Sequence, residues 1–201
     1  MSELLLGCGY RWDKIAKAPG KLAEWDDLVT LDINPDCKPD LQCDLNDPYW
    51  CCRPLTSRGE RAVAKYIDDK TCVNNELHEN YFSEVHAYEV LEHLGQQGDI
   101  TSFFHTFDNI YRILIPNGLL FATCPSIRSN WLWGDPGHRR VIQKESLIFL
   151  DQSQYTLQIG KTPMSDYRNT WKSDFQILSS TDDGQFHRFV LQAIKPARIS
   201  I

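Results

Sequence analysis

Leu4, Leu5 and Leu6 run straight into Gly7-Cys8-Gly9. A short apolar run closed by glycines reads as a buried strand ending in a tight turn. Glycines at such a turn let a ligand approach the backbone with no Cβ in the way. A dinucleotide-binding turn would place a third glycine at position 12, where this chain has Trp12. The turn therefore suits a ligand held close at a strand end, but not the loop that cradles a pyrophosphate.

The segments that follow repeat the theme. "AEWDDLVTLDI" holds a strand ending near Asp32, and "DLQCDL" (40–45) holds a third, short one. "SEVHAYEVLEHL" begins with a strand at about 84–88 and then turns. Residues 101–114 put Phe103, Phe104, Phe107, Ile110, Tyr111 and Leu114 on one helical face. Pro116-Asn117-Gly118 is expected to end that helix and lead into a strand at about 119–124. "QKESLIFLDQS" is a further helix candidate. "SDFQILSST" and "FHRFVLQAIK" flank Asp182-Asp183-Gly184 as a terminal antiparallel hairpin. Strands alternating with helices predict an α/β fold, a mostly parallel sheet with helices on both faces. Residues 48–80 interrupt the alternation with an amphipathic helix at about 59–69 and polar linkers. They are expected to form a flap inserted beside the sheet, within a single domain spanning 1–201.

Composition narrows the function. A net charge of −6 with no Lys/Arg-rich run gives no strong duplex nucleic-acid signature, although Arg128, Arg139 and Arg140 leave room for a local basic patch. No run of about 18 apolar residues exists to span a membrane. The residues after Met1 lack the basic and long apolar segments of a signal peptide, so a cytoplasmic protein is expected. Seven cysteines, an odd number, fit that compartment. Cys8 and Cys124 lie in or beside strand-like runs as small hydrophobes. Cys37, Cys43, Cys51, Cys52 and Cys72 cluster more loosely, and adjacent Cys51-Cys52 lacks the paired spacing of a zinc site. No metal ligand set is predicted.

Ligands of open α/β sheets bind outside the carboxyl ends of the strands. Read in order, those ends are Gly7-Cys8-Gly9, Asp32, Asp44 and Glu89. Carboxylates along one rim repel a pyrophosphate and suit a ligand offering donors and positive charge. Asp32 can accept from two ribose hydroxyls, Asp44 from an adenine amino group, and Glu89 lies where an ammonium or sulfonium is expected. S-adenosylmethionine has all of these groups and no phosphate. Ile33 and Leu45, beside the two aspartates, complete the predicted cofactor set. Each residue also has a plain reading. G-x-G can be a tight turn, Asp32 is equally at home in an NAD site, Asp44 can cap a helix, and Glu89 and Glu92 can be solvated.

The same segments resemble a known family. "LLLGCG", "VTLDINPDCKPDLQCDL", "EVHAYEVLEHL" and "IYRILIPNGLLFATCPS" are similar, in order over about residues 3–126, to the motifs of class I S-adenosylmethionine-dependent methyltransferases. "HAYEVLEHLGQQGD" and "WGDPGHRRVIQKESLIFL" resemble small methyltransferase-domain proteins of tailed phages, which would place the chain in a host cytoplasm. The resemblance implies a Rossmann-like, seven-stranded sheet whose last strand is antiparallel. Two departures stand out. The helix that precedes the family's first strand is missing, which leaves one wall open or filled by another chain, as in a homo-oligomer. The family's "KPGG" is here "IPNG" (115–118), which keeps the turn.

Methyl transfer is an in-line displacement in which alignment supplies much of the rate and a general base is optional. His93 and His138 are the candidate catalytic histidines, with Asp135 beside the second. His93 can equally be a residue at a helix N-terminus bonded to backbone. "DPGH" is turn chemistry on its face. Trp131, Trp133, Arg139 and Arg140 flank it, and such residues hold a planar or anionic acceptor or else pack the loop. Cys124, His78, His86, His105 and His187 are expected to be structural. The methyl acceptor stays unidentified. Two other readings compete: a non-catalytic binding or assembly module on the same fold, and an NAD-linked oxidoreductase, against which Trp12 and the extra carboxylates count.

Overall fold

The computed structural model describes residues 2–16, 24–67 and 73–199. The strands are β1 (Ser2–Leu6), β2 (Asp27–Asp32), β3 (Leu41–Gln42), β4 (Arg53–Pro54), β5 (Val63–Ile67), β6 (Val73–Leu77), β7 (Phe82–Tyr88), β8 (Leu114–Pro125), β9 (Phe175–Asp182) and β10 (Phe186–Ala193). The helices are α1 (Ser57–Ala62), α2 (Ile100–Ile113), α3 (Trp131–Gly134), α4 (Lys144–Ile148) and α5 (Gln152–Gln158).

The main sheet has eight strands in the order β4-β3-β2-β1-β7-β8-β10-β9. β3, β2, β1, β7 and β8 run parallel, while β10 and β9 return as the expected antiparallel hairpin. The predicted seven-stranded sheet is corrected by β4, which pairs antiparallel with β3 at the far edge. A two-residue edge strand is too short to show a period, so it leaves no mark in the sequence. Pro116-Asn117-Gly118 is a second correction. α2 ends at Ile113 and β8 begins at once. The tripeptide bulges inside β8, so that Phe82 faces Leu114 but Glu84 faces Leu119. Asn117 takes the left-handed backbone that such a bulge needs, with φ of 63°.

Alternation along the strands divides their side chains between two faces. Leu4, Leu6, Val29, Leu31, Val85, Ala87, Leu120 and Ala122 share one large core with Phe104, Phe107, Ile110 and Ile113 of α2. The Asp99 carboxylate caps α2 by accepting from Ser102 N–H at 3.0 Å. Ala62 of α1 and Leu147 of α4 join the same core. Among the described residues, α1, α2 and α4 pack on this face; residues 17–23, which connect β1 to β2, lie outside the described residues, so the expected helices on both faces are seen on one.

The opposite face carries Glu3, Leu5, Thr30, Glu84, His86 and Phe121, all nearly or wholly buried. Irregular chain covers it. Lys14, its side chain 1% exposed, reaches in to Glu3 and Glu84 at 2.9 and 2.8 Å. Trp25 lies edge-on to His86, with ring centroids 4.8 Å apart.

The predicted helix at about 59–69 is shorter. Thr56 caps α1, accepting from Gly59 N–H at 3.2 Å, and the chain turns extended at Val63. β5 then pairs antiparallel with β6 as a separate sheet, as β-branched Val63 and Ile67 favour. Residues 68 and 69 of that expected helix, and Cys72, lie outside the described residues. This small sheet is fixed to the end of α2 by Arg112, whose Nη1 donates to Leu77 O at 2.7 Å. β6 leads directly into β7, so the small sheet stands at the strands' amino-terminal edge. No helix among the described residues is long and apolar enough to cross a membrane.

Candidate functional site

The parallel strands deliver the predicted cofactor residues to one rim. Gly7 and Gly9 both take left-handed backbone, with φ of 57° and 49°. A Cβ on Gly7 would stand 2.5 Å from Val90 Cγ2, so only glycine fits, whereas Gly9 faces open space. Asp32, at the end of β2, reaches across to the turn. Its Oδ2 accepts from Gly9 N–H and its Oδ1 from Asn34 N–H, each at 2.8 Å. Each oxygen keeps a lone pair for a further donor. Asp44 is exposed, and its Oδ1 accepts from Asn46 N–H at 2.9 Å. Ile33 is 59% exposed and offers an apolar surface beside Asp32. Cys8 and Leu45 are buried, so at the rim they present backbone alone. Burial, the neighbouring Cys37 and Asp32 push the Cys8 thiol up to about 12.

Glu89 follows β7 in strained left-handed backbone, with φ of 54°. Its Oε1 is buried and accepts no hydrogen bond among the described residues, and burial raises its pKa. An unpartnered buried acceptor on this rim fits the positive end of the predicted cofactor.

The side on which the acceptor was expected is built by two segments that grip each other. One is the 3₁₀ turn Leu91–His93; the other is the loop 135–140 after α3. The Glu92 carbonyl accepts from Arg139 N–H at 2.8 Å and Arg140 N–H at 3.1 Å. His93 Nδ1 donates to Gly137 O at 3.1 Å, and His138 Nδ1 to Leu132 O at 3.1 Å. The two imidazoles meet edge to face, with centroids 4.7 Å apart. His138 Nε2 points towards Glu92 Oε1 at 3.8 Å and Asp135 Oδ2 at 4.0 Å. His138, His93 and Asp135 are thus brought together, and the structure adds Glu92 to them.

Glu92 is wholly buried, and neither carboxylate oxygen has a hydrogen-bond partner among the described residues. The Cys124 thiol lies nearby but is a weak donor, and it does not complete a hydrogen bond. Burial pushes the Glu92 carboxyl up to about 8, aided by the negative charges of Glu89 and Asp135. The sequence assigns Glu92 no role and offers only the plain reading of a solvated helix residue. The available signal was a carboxylate between Leu91 and His93 directly after a buried strand; the docking of loop 135–140 onto it has no mark in the sequence.

Glu89, His93, Asp135, His138 and Trp131 line a cavity of about 590 Å³. A neighbouring cavity of about 690 Å³ shares His138 and reaches Asn46, Gly95 and Trp133. Trp131 and Trp133 are 71% and 61% exposed, so they overhang the cavities instead of packing beneath the loop. The three arginines of the possible basic patch differ in their surroundings, and Arg139 is exposed. Arg140 is buried and donates to Gln96 O and Asp99 O, and Arg128 pairs with Asp182 at 2.9 Å. Cys124, His86 and His187 are buried in the sheet and line neither cavity, although the Cys124 thiol lies beside Glu92.

No family model matches the sequence, and no curated protein does. Among solved structures, the chain is similar to a SAM-dependent methyltransferase from Archaeoglobus fulgidus. The identity is 12% over 95% of this chain and 85% of that one, with a TM-score of 0.49. It is similar to the N-methyltransferase NodS from Bradyrhizobium japonicum WM9 in complex with S-adenosyl-L-homocysteine, at 15% identity over 96% and 77% of the two chains and a TM-score of 0.48. It is also similar to the cyclase SpnF, at 12% identity over 96% and 74%, with a TM-score of 0.47. Likenesses of this depth assign no residue a role.

Proposed function

We propose that the chain is an S-adenosylmethionine-dependent methyltransferase whose acceptor enters the cavity beneath Trp131. The observation that carries this reading is the rim itself. A glycine turn that tolerates no Cβ at Gly7 lies next to carboxylates at the ends of adjacent parallel strands. Such a rim welcomes a nucleoside bearing positive charge and repels a phosphate.

Bound there, S-adenosylmethionine supplies a methyl carbon already activated by its sulfonium. The chain's residues do the rest. Asp32 accepts from the ribose hydroxyls with the lone pairs left over from Gly9 and Asn34. Asp44 accepts from the adenine amino group, and Ile33 covers the ring. Glu89 meets the positive methionine end. His138, with Asp135 and His93, orients an acceptor hydroxyl or amine and takes its proton. A charged or polar acceptor of modest size fits the cavity, and its chemical identity is left to experiment.

Calorimetry tests the reading. S-adenosylhomocysteine is expected to bind in the micromolar range, about −8 kcal/mol. Asp32→Ala should weaken it at least about tenfold, since hydrogen bonds to a charged acceptor contribute about 1.5–3 kcal/mol. Binding of NADH in place of S-adenosylhomocysteine would overturn it.

A further inference from the structure

The backbone holds both cluster histidines in a single tautomer. A carbonyl oxygen only accepts, so the Nδ1 atoms facing Gly137 O and Leu132 O carry the protons. A neutral ring held in this way presents a bare Nε2 lone pair. Carbonyls at the far nitrogen are a common means of orienting metal-bound histidines. Glu92 adds a wholly buried carboxylate with two unpartnered oxygens. The 3.8 Å between its Oε1 and His138 Nε2 is too long for a hydrogen bond. One donor atom from each of Glu92, His93 and His138 lies within 4.8 Å of the others. Ligands about 2.1 Å from a shared ion stand about 3–3.5 Å apart, so a modest inward movement closes the set.

We propose that Glu92, His93 and His138 bind a divalent first-row transition ion, with open coordination positions facing the cavity beneath Trp131. Two imidazoles and one carboxylate suit such an ion, and offer too few oxygens for calcium. Two other clusters in the fold lack this character. Between Glu3 and Glu84 the Lys14 ammonium is already in place. Beside Cys8 and Asp32, the Cys37 thiol is already taken up in donating to Asn34 O at 2.9 Å. At the proposed site Asp135, with Oδ2 4.0 Å from His138 Nε2, stands ready as a further ligand. The methyltransferase reading is needed only for the use of the ion. It would bind an acceptor oxygen and ease loss of its proton, the task otherwise given to His138.

Chelator-stripped protein titrated with Mn²⁺, followed by electron paramagnetic resonance of the free ion, is expected to bind one ion per chain. Mn²⁺ has little affinity for thiols, so the cysteines do not compete. Glu92→Gln and His138→Ala should each weaken binding at least about tenfold, while Asp32→Ala, which removes the cofactor's ribose acceptor, leaves it unchanged. Co²⁺ provides a second readout on the wild-type protein, independent of whether the variants fold. Weak visible bands of nitrogen and oxygen ligands support the site. Intense thiolate charge-transfer bands place the ion on cysteines and overturn it. Failure to bind Mn²⁺ in the millimolar range, or binding that survives in folded forms of both Glu92→Gln and His138→Ala, also overturns it. If Mn²⁺ binds and S-adenosylhomocysteine does not, the methyltransferase reading fails and this site stands.

Discussion

His86 shows how completely one buried residue can be satisfied. Its Nε2 lies 3.2 Å from Glu84 Oε2, so that nitrogen carries the proton. Nδ1 then accepts from the Tyr88 hydroxyl at 2.6 Å, which itself accepts from Ala16 N–H at 3.0 Å. The ring stacks on Phe121 at 4.9 Å. A second proton would displace the Tyr88 donor. Burial lowers the His86 pKa, and the nearby Lys14 ammonium adds to this against the pull of Glu84. The unfolded chain titrates near pH 6.5 and the folded protein lower, so in between the unfolded state binds more protons. This contribution to stability is complete above about pH 6.5 and is lost as pH falls through the folded pKa, with a slope of at most about 1.4 kcal/mol per pH unit. Urea unfolding at pH 7.5 and 5.5 should show a larger fall for the wild type than for His86→Gln, which keeps a donor and an acceptor but does not titrate; equal falls would refute the assignment. The sequence reading takes His86 as structural because no partner stands out at a readable spacing, yet Glu84 and Tyr88, two residues to either side, are its partners. The sequence could not show the whole network, whose other members are residues 3, 14, 16, 84 and 88.

Elements were legible where their period was long enough to read. The apolar face of α2 and the hairpin around Asp182-Asp183-Gly184 stand almost where the pattern put them. α1 misled because "SRGERAVAKY" mixes charged and apolar residues at helical spacing, while the β-branched residue at 63 favours extended chain. The consequence bears on ligand binding. The small sheet of β5 and β6 stands at Arg112, whereas Asn46 Oδ1 accepts from Gly95 N–H at 2.8 Å beside the cavities. S-adenosylhomocysteine should therefore slow hydrogen exchange at 44–47 and leave 63–67 and 73–77 unchanged. Slowing confined to 63–77 would mean that this hairpin, not the turn after β3, closes on the nucleoside.

At the scale of the whole molecule the sheet is asymmetric, with its helical core on one face and a buried polar network on the other. The alternation of strands and helices suggested two helical layers, but residues 7–16 and 24–26 are irregular and 33–40 hold only the 3₁₀ turn Pro35–Cys37. A single lysine secures much of what covers that second face. Burial acts to lower the Lys14 pKa, yet its hydrogen bonds to Glu84 and Glu3 outweigh this and raise it. Lys14→Met would leave two buried carboxylates uncompensated and is expected to cost about 3–5 kcal/mol in chemical denaturation. A loss under about 1 kcal/mol would mean that water reaches the pair. Four of the six tryptophans follow the same division between interior and rim. Trp50 and Trp171 are 0% and 1% exposed, against 71% and 61% for Trp131 and Trp133. The molecule is thus its own fluorimeter, with emission from the interior following unfolding and emission from the overhang following occupancy. A library of unlabelled compounds can be sorted by light alone, before any of them has been given a place in the cavities.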